Sequence, residues 1–225
     1  MKKSNIILIA FSVFILASIL VLFIFGKKHN DEEKINHIRY TQLSPFSVIV
    51  TEKGADVHID FSDTARIGVE YLEKKKSLKL YSIKGDTLFV KGGLRTFVKC
   101  PKLTALECRE SFWVGVSNYS TDTLKANITG GRVYFYTADN IDEEKGIGKI
   151  VKPVLLLHAS QKAEVDIYKL LNTLSVTISD GSFVNNRLQI GKLNAKLIDK
   201  STLQLSASPS QSAVVRDSTS RFRVF

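Results

Sequence analysis

The sequence predicts an all-β protein, a single-stranded β-helix (β-solenoid) with turns of about 19–21 residues, preceded by one N-terminal transmembrane helix. Three observations carry this. Residues 6–25 form an apolar run without a charge. From Pro45 onward apolar and polar residues alternate, and no long segment has a helical period. In the C-terminal third, residue types recur every 19 positions.

The apolar run comes first along the chain. Only Ser12 and Ser18 interrupt it. Twenty helical residues at about 1.5 Å each span roughly 30 Å, the hydrocarbon thickness of a bilayer. A cleaved signal peptide has a shorter apolar core and a small-x-small site after it, whereas this run ends in Phe25-Gly26-Lys27-Lys28. Residues 5–26 are therefore expected to be a membrane signal anchor, with a removed signal as the alternative. Lys2 and Lys3 before the span nearly balance Lys27 and Lys28 after it. Because a first apolar segment this early usually directs export, residues 1–4 are expected in the cytoplasm and the rest beyond the inner membrane.

Residues 27–42 are polar, contain Asp31-Glu32-Glu33, and are expected to be a tether. The β domain is expected over 43–225, and removal of residues 1–42 should leave it folded. Phe46, Val48 and Val50 share one phase, and Val57, Ile59 and Phe61 follow after a turn at Lys53-Gly54. Further strands are separated by turns at Lys74-Lys75-Lys76 and Gly85-Asp86.

The repeat is clearest from Leu155. Leu155, Leu174, Leu193 and Ser212 stand 19 apart. Ten residues on lie Val165, Val184, Leu203 and Phe222, and one further lie Asp166, Asn185, Gln204 and Arg223. The first set is expected to stack inside and the second outside, since successive strand residues face opposite sides. Such a turn cannot bury its inner face alone, so it stacks on its neighbours at about 4.8 Å. Corners are expected at Gly130-Gly131, Asp180-Gly181 and Asp199-Lys200. Small residues (Ala163, Ser182, Ser201, Ser220) follow the later corners. Arg216 stands where Ile178 and Leu197 are apolar, as a terminal turn facing water would have it. Residues 137–153 interrupt the period and are expected to project as a loop.

The series "FSVIVTEKGADVHIDF", "GDTLFV", "VKCPKLTALECRESFWV" and the repeated turns resembles the head GIN domain of putative auto-transporter adhesins over residues 43–225. That resemblance implies an extracytoplasmic β-helical domain with no assigned catalysis. Glu110-Ser111, Lys162-Ala163, Lys200-Ser201 and Thr219-Ser220 lack the glycine usual at its corners, and here an anchor replaces the family's cleaved signal.

Composition narrows the chemistry. The net charge is +10, but four of the lysines flank the anchor and the longest basic run is Lys74–Lys76, so no nucleic-acid stripe is expected. Cys100 and Cys108 fall on apolar phases, which suits two buried thiols, with one disulfide as the alternative. His29, His37, His58 and His158 are scattered. Asp56, His58 and Asp60 share a strand face, where they form either a metal site or, more simply, the wet side. There is no nucleophile elbow, P-loop or dinucleotide fingerprint, so no catalytic, cofactor or metal residue is assigned. Phe112, Trp113, Tyr119, Tyr134, Phe135 and Tyr136 cluster in the first full turns. Alternate members are expected to fill the core and the others to cover the flank, where exposed rings suit sugars. The expected function is non-catalytic binding or scaffolding at the cell envelope, with an envelope protein or glycan as ligand. The alternatives are a polysaccharide-acting enzyme on the same solenoid and a regulatory partner of another membrane protein.

Overall fold

A computed structural model describes residues 15, 16, 18, 37–71, 80–117, 122–136 and 153–225. The chain divides into two units, Met1–His37 and Ile38–Phe225. Almost all of the apolar run, the Lys74–Lys76 turn, Tyr119 and the 137–152 part of the insertion lie outside the described residues. Among the described residues no helix is long and apolar enough to cross a membrane.

The second unit is all-β, a long and mostly parallel sheet wound as a β-helix. In chain order come β1 (His37–Gln42), β2 (Val48–Thr51), β3 (Asp56–Phe61) and β4 (Arg66–Tyr71). Then follow β5 (Tyr81–Lys84), β6 (Thr87–Val90), β7 (Arg95–Cys100), β8 (Ala105–Ser117) and β9 (Thr123–Tyr136). Three further turns hold β10 (Val154–Ser160) with β11 (Glu164–Tyr168), β12 (Leu171–Ile178) with β13 (Phe183–Asn186), and β14 (Ile190–Leu197) with β15 (Thr202–Leu205). The last turn is β16 (Gln211–Arg216) with β17 (Arg221–Val224).

Two parallel ladders result. Ladder A runs β6, β2, β8, β9, β10, β12, β14, β16. Ladder B runs β7, β3, β8, β9, β11, β13, β15, β17. The long strands β8 and β9 bend through the corner and serve both. The expected 19-residue register is the observed one: Leu155 pairs with Leu174, Leu174 with Leu193 and Leu193 with Ser212. Val165, Val184, Leu203 and Phe222 form one continuous row. The first three are fully buried, and Phe222, which among the described residues pairs with Leu203 alone, is half-buried.

The corners depend on left-handed backbone. Gln161-Lys162, Asp180-Gly181 and Asp199-Lys200 all have positive φ, between 53° and 69°. The small residue after each corner is buried: Ala163, Ser182 and Ser201 are each 0 % exposed. These serines also bind in the tight interior. Ala163 N–H donates to Ser182 Oγ at 3.0 Å, and the Ser201 and Ser220 hydroxyls lie 3.3 Å apart. At the last corner Asp217 accepts hydrogen bonds from Asp199 N, Thr219 N and Ser220 N. Hydrogen bonding, from Ser220 first, holds its carboxyl well below the ordinary carboxylate range.

The N-terminal part differs from the expected simple winding. β2 and β3 do not start the stack. They lie between β6–β7 on one side and β8 on the other. The outer end is closed by antiparallel strands, β5 on β6 and β4 on β7. β1 then pairs with β4. Residues 37–42, expected within the 27–42 tether, therefore belong to the sheet. The reason is packing across Gly68, where an added Cβ would stand 2.6 Å from Ile38 Cγ2 and 2.8 Å from Tyr40 Cε1. Arg66 and Lys99 also lie over the Tyr40 ring, at 5.4 and 5.7 Å. A chain lacking residues 1–36 should fold as the full domain does. Removing 1–42 should lower stability by about 1–3 kcal/mol, the scale of one or two half-buried large side chains. Equal urea midpoints for the two truncations would show that β1 is dispensable.

Cys100 and Cys108 are both free and buried. Burial pushes each thiol up to about 12. An aromatic disulfide reagent at pH 8 should leave both unmodified in the native chain and titrate two thiols after unfolding, because the thiolate is the nucleophile. Rapid labelling of the native chain would contradict this burial.

Candidate functional site: the aromatic face of ladder B

The outward residues of β7, β3, β8 and β9 on ladder B bring rings together. Phe97 stands opposite His58, His58 opposite Gly115, and Gly115 opposite Tyr134. Trp113 joins this row through an irregularity in β8. Ser111 pairs with Gly131 and Val114 with Val133, so Phe112 and Trp113 together oppose the single residue Arg132. Such a bulge re-aims side chains. Both residues turn outward, and Phe112 is left 70 % exposed. The indole reaches along its own strand and fills the space above Gly115, where a Cβ would come within 2.2 Å of Trp113 Cη2. Glycine at 115 thus makes room for the indole between His58 and Tyr134.

The rings form a continuous run. Trp113 lies 5.9 Å from His58 at 12° and 5.8 Å from Tyr134 at 29°. Phe97 and Tyr136 flank His58 at 5.9 and 5.7 Å in tilted arrangements. The Tyr136 hydroxyl is within 2.9 Å of His58 Nε2. Burial lowers the His58 pKa most, partly opposed by Asp60. The imidazole is therefore neutral at neutral pH. Burial likewise raises the Tyr136 phenol, which stays protonated.

Charge is arranged around the run in pairs. Arg95 Nε binds Asp56 Oδ2 at 3.3 Å, and Arg132 Nε binds Glu164 Oε2 at 2.7 Å. Ser117 Oγ donates to Asp60 Oδ1 at 2.8 Å. Further along, Asp166 accepts from Asn185 Nδ2 at 2.9 Å, and Arg187 covers the Tyr168 ring at 5.5 Å. The surface can stack on apolar ring faces and exchange hydrogen bonds with hydroxyls.

Several expected residues meet here. Asp56, His58 and Asp60 share the outward face as read from the alternation, but their neighbours are Arg95, Tyr136 and Ser117. Among the described residues no group of three or more His, Cys, Asp or Glu comes together to hold a metal ion. Phe135 fills the core at 0 % exposure, while Tyr134 and Tyr136 lie half-buried on the flank, as the alternation predicts; Phe112 and Trp113 depart from it, since the bulge keeps both out of the core. His158 is elsewhere, in an open groove of about 500 Å³ on ladder A bordered by Val48, Ala105, Lys125 and Leu156. Neither the bulge nor the contribution of Phe97 is visible in the sequence, because each depends on strands paired far apart along the chain.

The column expected outside contains one surprise. Asp166, Asn185, Gln204 and Arg223 do stack in register, yet Asn185 is only 3 % exposed. Its amide is covered where Asp166 and Arg187 approach each other, at 3.8 Å.

No family model matches the chain, and no curated protein matches it. Solved structures do. A protein from Bacteroides fragilis described as a "putative adhesin" aligns with TM-score 0.54 at 9% identity, over 84% of this chain and 96% of its own. A "putative lipid binding protein" from Parabacteroides distasonis aligns with TM-score 0.49 at 10% identity, over 84% and 96%. A "putative adhesin" from the same species aligns with TM-score 0.39 at 11% identity, over 84% and 95%. The first likeness shows a shared fold. At these identities a fold says nothing about a ligand, which has to be argued from the site.

Proposed function

We propose that the chain is a non-catalytic binding or scaffolding protein of the cell envelope, and that the aromatic face of ladder B binds an envelope glycan. Residues 5–26 hold it in the inner membrane, with the β domain on the extracytoplasmic side. The observation that carries the reading is the bulge in β8, which turns Trp113 into the ring run over Gly115. Adjacent rings offer apolar surface to the C–H faces of a sugar, and Tyr136 and Asp60, the latter held by the buried Ser117 hydroxyl, stand beside them to exchange hydrogen bonds with hydroxyls. The order of motifs resembling the head GIN domain supports an envelope location.

The full chain, in a detergent without a sugar head group, should sediment with purified envelope fragments. Trp113→Ala should weaken this binding at least tenfold, and Lys196→Ala on ladder A should leave it unchanged. Soluble envelope oligosaccharides should compete. If the fragments lose binding only after protease treatment, the ligand is an envelope protein instead. If Trp113→Ala binds normally, the face is structural. Release of reducing sugar from the same fragments, lost in Asp60→Asn, would favour the polysaccharide-acting alternative. For topology, alkaline phosphatase fused after Phe225 should be active, and activity of only a cytoplasmic reporter there would invert the placement.

A further inference from the structure

The groove on ladder A is built differently from the ring run on ladder B. Its volume is about 500 Å³. Its lining comes from five neighbouring strands, β2, β8, β9, β10 and β12, so it crosses the sheet for about 19 Å at the ordinary spacing of paired strands. Alternation sets two outward rows along it. Val48, Ala105, Lys125, Leu156 and Ser175 stand opposite one another in the first. Glu107, Asn127, His158 and Thr177 do so in the second, two residues on. Ala105 is a small side chain between Val48 and the exposed Lys125, and it opens the space between the half-buried Val48 and Leu156.

Val48, Ala105 and Leu156 form an aliphatic wall. Apart from the His158 imidazole no aromatic ring lines the groove, so a sugar finds nothing there to stack on. The charges differ as well. Beside the ring run, arginines and carboxylates are paired with one another. In the groove the one lining carboxylate, Glu107, is held by Arg109 Nη2 at 2.8 Å. Lys125 is exposed and, among the described residues, pairs with no carboxylate. Asn127, Ser175 and Thr177 add uncharged donors along the same lining. The groove therefore joins an aliphatic wall to an unneutralised cation.

We propose that this groove binds a single-chain amphiphile with an anionic head, a fatty-acid carboxylate, independently of the aromatic face. The chain lies across the strands over Ala105, between Val48 and Leu156, where its methylenes leave water for an aliphatic surface. The stem of Lys125 continues that surface. Its ammonium, with the Ser175 and Thr177 hydroxyls as donors, holds the carboxylate through charge-assisted hydrogen bonds. The volume falls within the range of small-ligand sites, about 300–1,000 Å³. A cationic head fits poorly, because it would meet Lys125 while Glu107 is already engaged by Arg109.

The probe is dodecanoate with a photoactivatable diazirine at its methyl end, added to the full chain in nanodiscs of net-neutral phosphatidylcholine. Cross-links are located by peptide mass spectrometry. Labelling should be saturable, centred on residues 105–107 and 156–158, and displaced by unlabelled dodecanoate. The alcohol with the same tail should label the groove at least fivefold less. Lys125→Glu should reduce labelling by the carboxylate at least fivefold and leave labelling by the alcohol unchanged. Ala105→Trp, which fills the groove from an outward position, should abolish both. Melting temperatures check that each variant keeps the fold. Trp113→Ala should leave the labelling unchanged, which separates this site from the glycan face. Equal labelling by carboxylate and alcohol would overturn the proposal, as would labelling that survives Ala105→Trp or falls only on residues 5–26. So would a concentration-dependent dimer that shields the groove and is lost in Ala105→Trp, since that assigns the face to a second copy.

Discussion

Leu203→Asp is expected to unfold the domain, or to bring it close to unfolding. Leu203 is fully buried in the inner row between Val184 and Phe222. Truncating a core leucine alone costs roughly 2–5 kcal/mol, and an unpaired buried carboxylate adds to that. The sum approaches the whole stability of an ordinary domain, about 5–15 kcal/mol. One residue along, Gln204 faces outward between Asn185 and Arg223. Gln204→Asp should therefore change stability by only about 0.5 kcal/mol. Phe222→Asp should fall between the two, because that side chain is half-buried and, among the described residues, pairs with Leu203 alone. Urea midpoints of the three variants decide the matter. Equal losses at 203 and 204 would be incompatible with this register.

Gly131→Ala is expected to be the most damaging single methyl group in the molecule. The corner through β9 is one residue shorter than the later ones: Thr129 aligns with Ser160 and Arg132 with Glu164. The shorter corner places a residue with φ of 79° hard against the turn below. A Cβ at 131 would stand 2.0 Å from Ser111 O and 2.9 Å from Ser111 N, both backbone atoms that cannot rotate away. The left-handed conformation costs a residue with a Cβ roughly 1–2 kcal/mol. Overpacking adds about 1–3 kcal/mol. Gly181→Ala supplies the control. Its φ is 69° with nothing within 4 Å of the added Cβ, and the equivalent corner positions hold Lys162 and Lys200. It should lose only the backbone part. If the two glycine variants melt together, the close approach of the 111 and 131 backbones is not present in solution.

The C-terminal turns were legible because each buries the same rows against an identical neighbour. The periodic columns of Val165 and Asp166 therefore record the register directly, and the corner pairs Asp180-Gly181 and Asp199-Lys200 mark where the backbone turns left-handed. The start of the stack was not legible. Val48 pairs with Thr87 and with Ala105, at separations that no period links. β1 escaped notice for a related reason. It contributes two half-exposed side chains, Ile38 and Tyr40, whose purpose becomes apparent only beside Gly68. At the candidate site the alternation sorted Phe135 inward and Tyr134 and Tyr136 outward. The bulge that aims Trp113 could not be foreseen, since an extra residue in one strand is defined only against its partner.

The position of β2 and β3 between β6–β7 and β8 also imposes an order on assembly. As the chain leaves the ribosome, residues 48–61 have no partner until residues 87–100 have followed, and their second partner ends only at Val116. Closing those long intervals without intermediate contacts is the entropically unfavourable part of folding and sets its rate. From β9 onward each turn meets a finished template and adds by zippering. The domain thus behaves as a slow nucleus spanning residues 48–116 followed by a fast-growing end. Deletions from the C-terminus should shorten the molecule turn by turn, whereas any deletion within the nucleus leaves the later turns with nothing on which to grow.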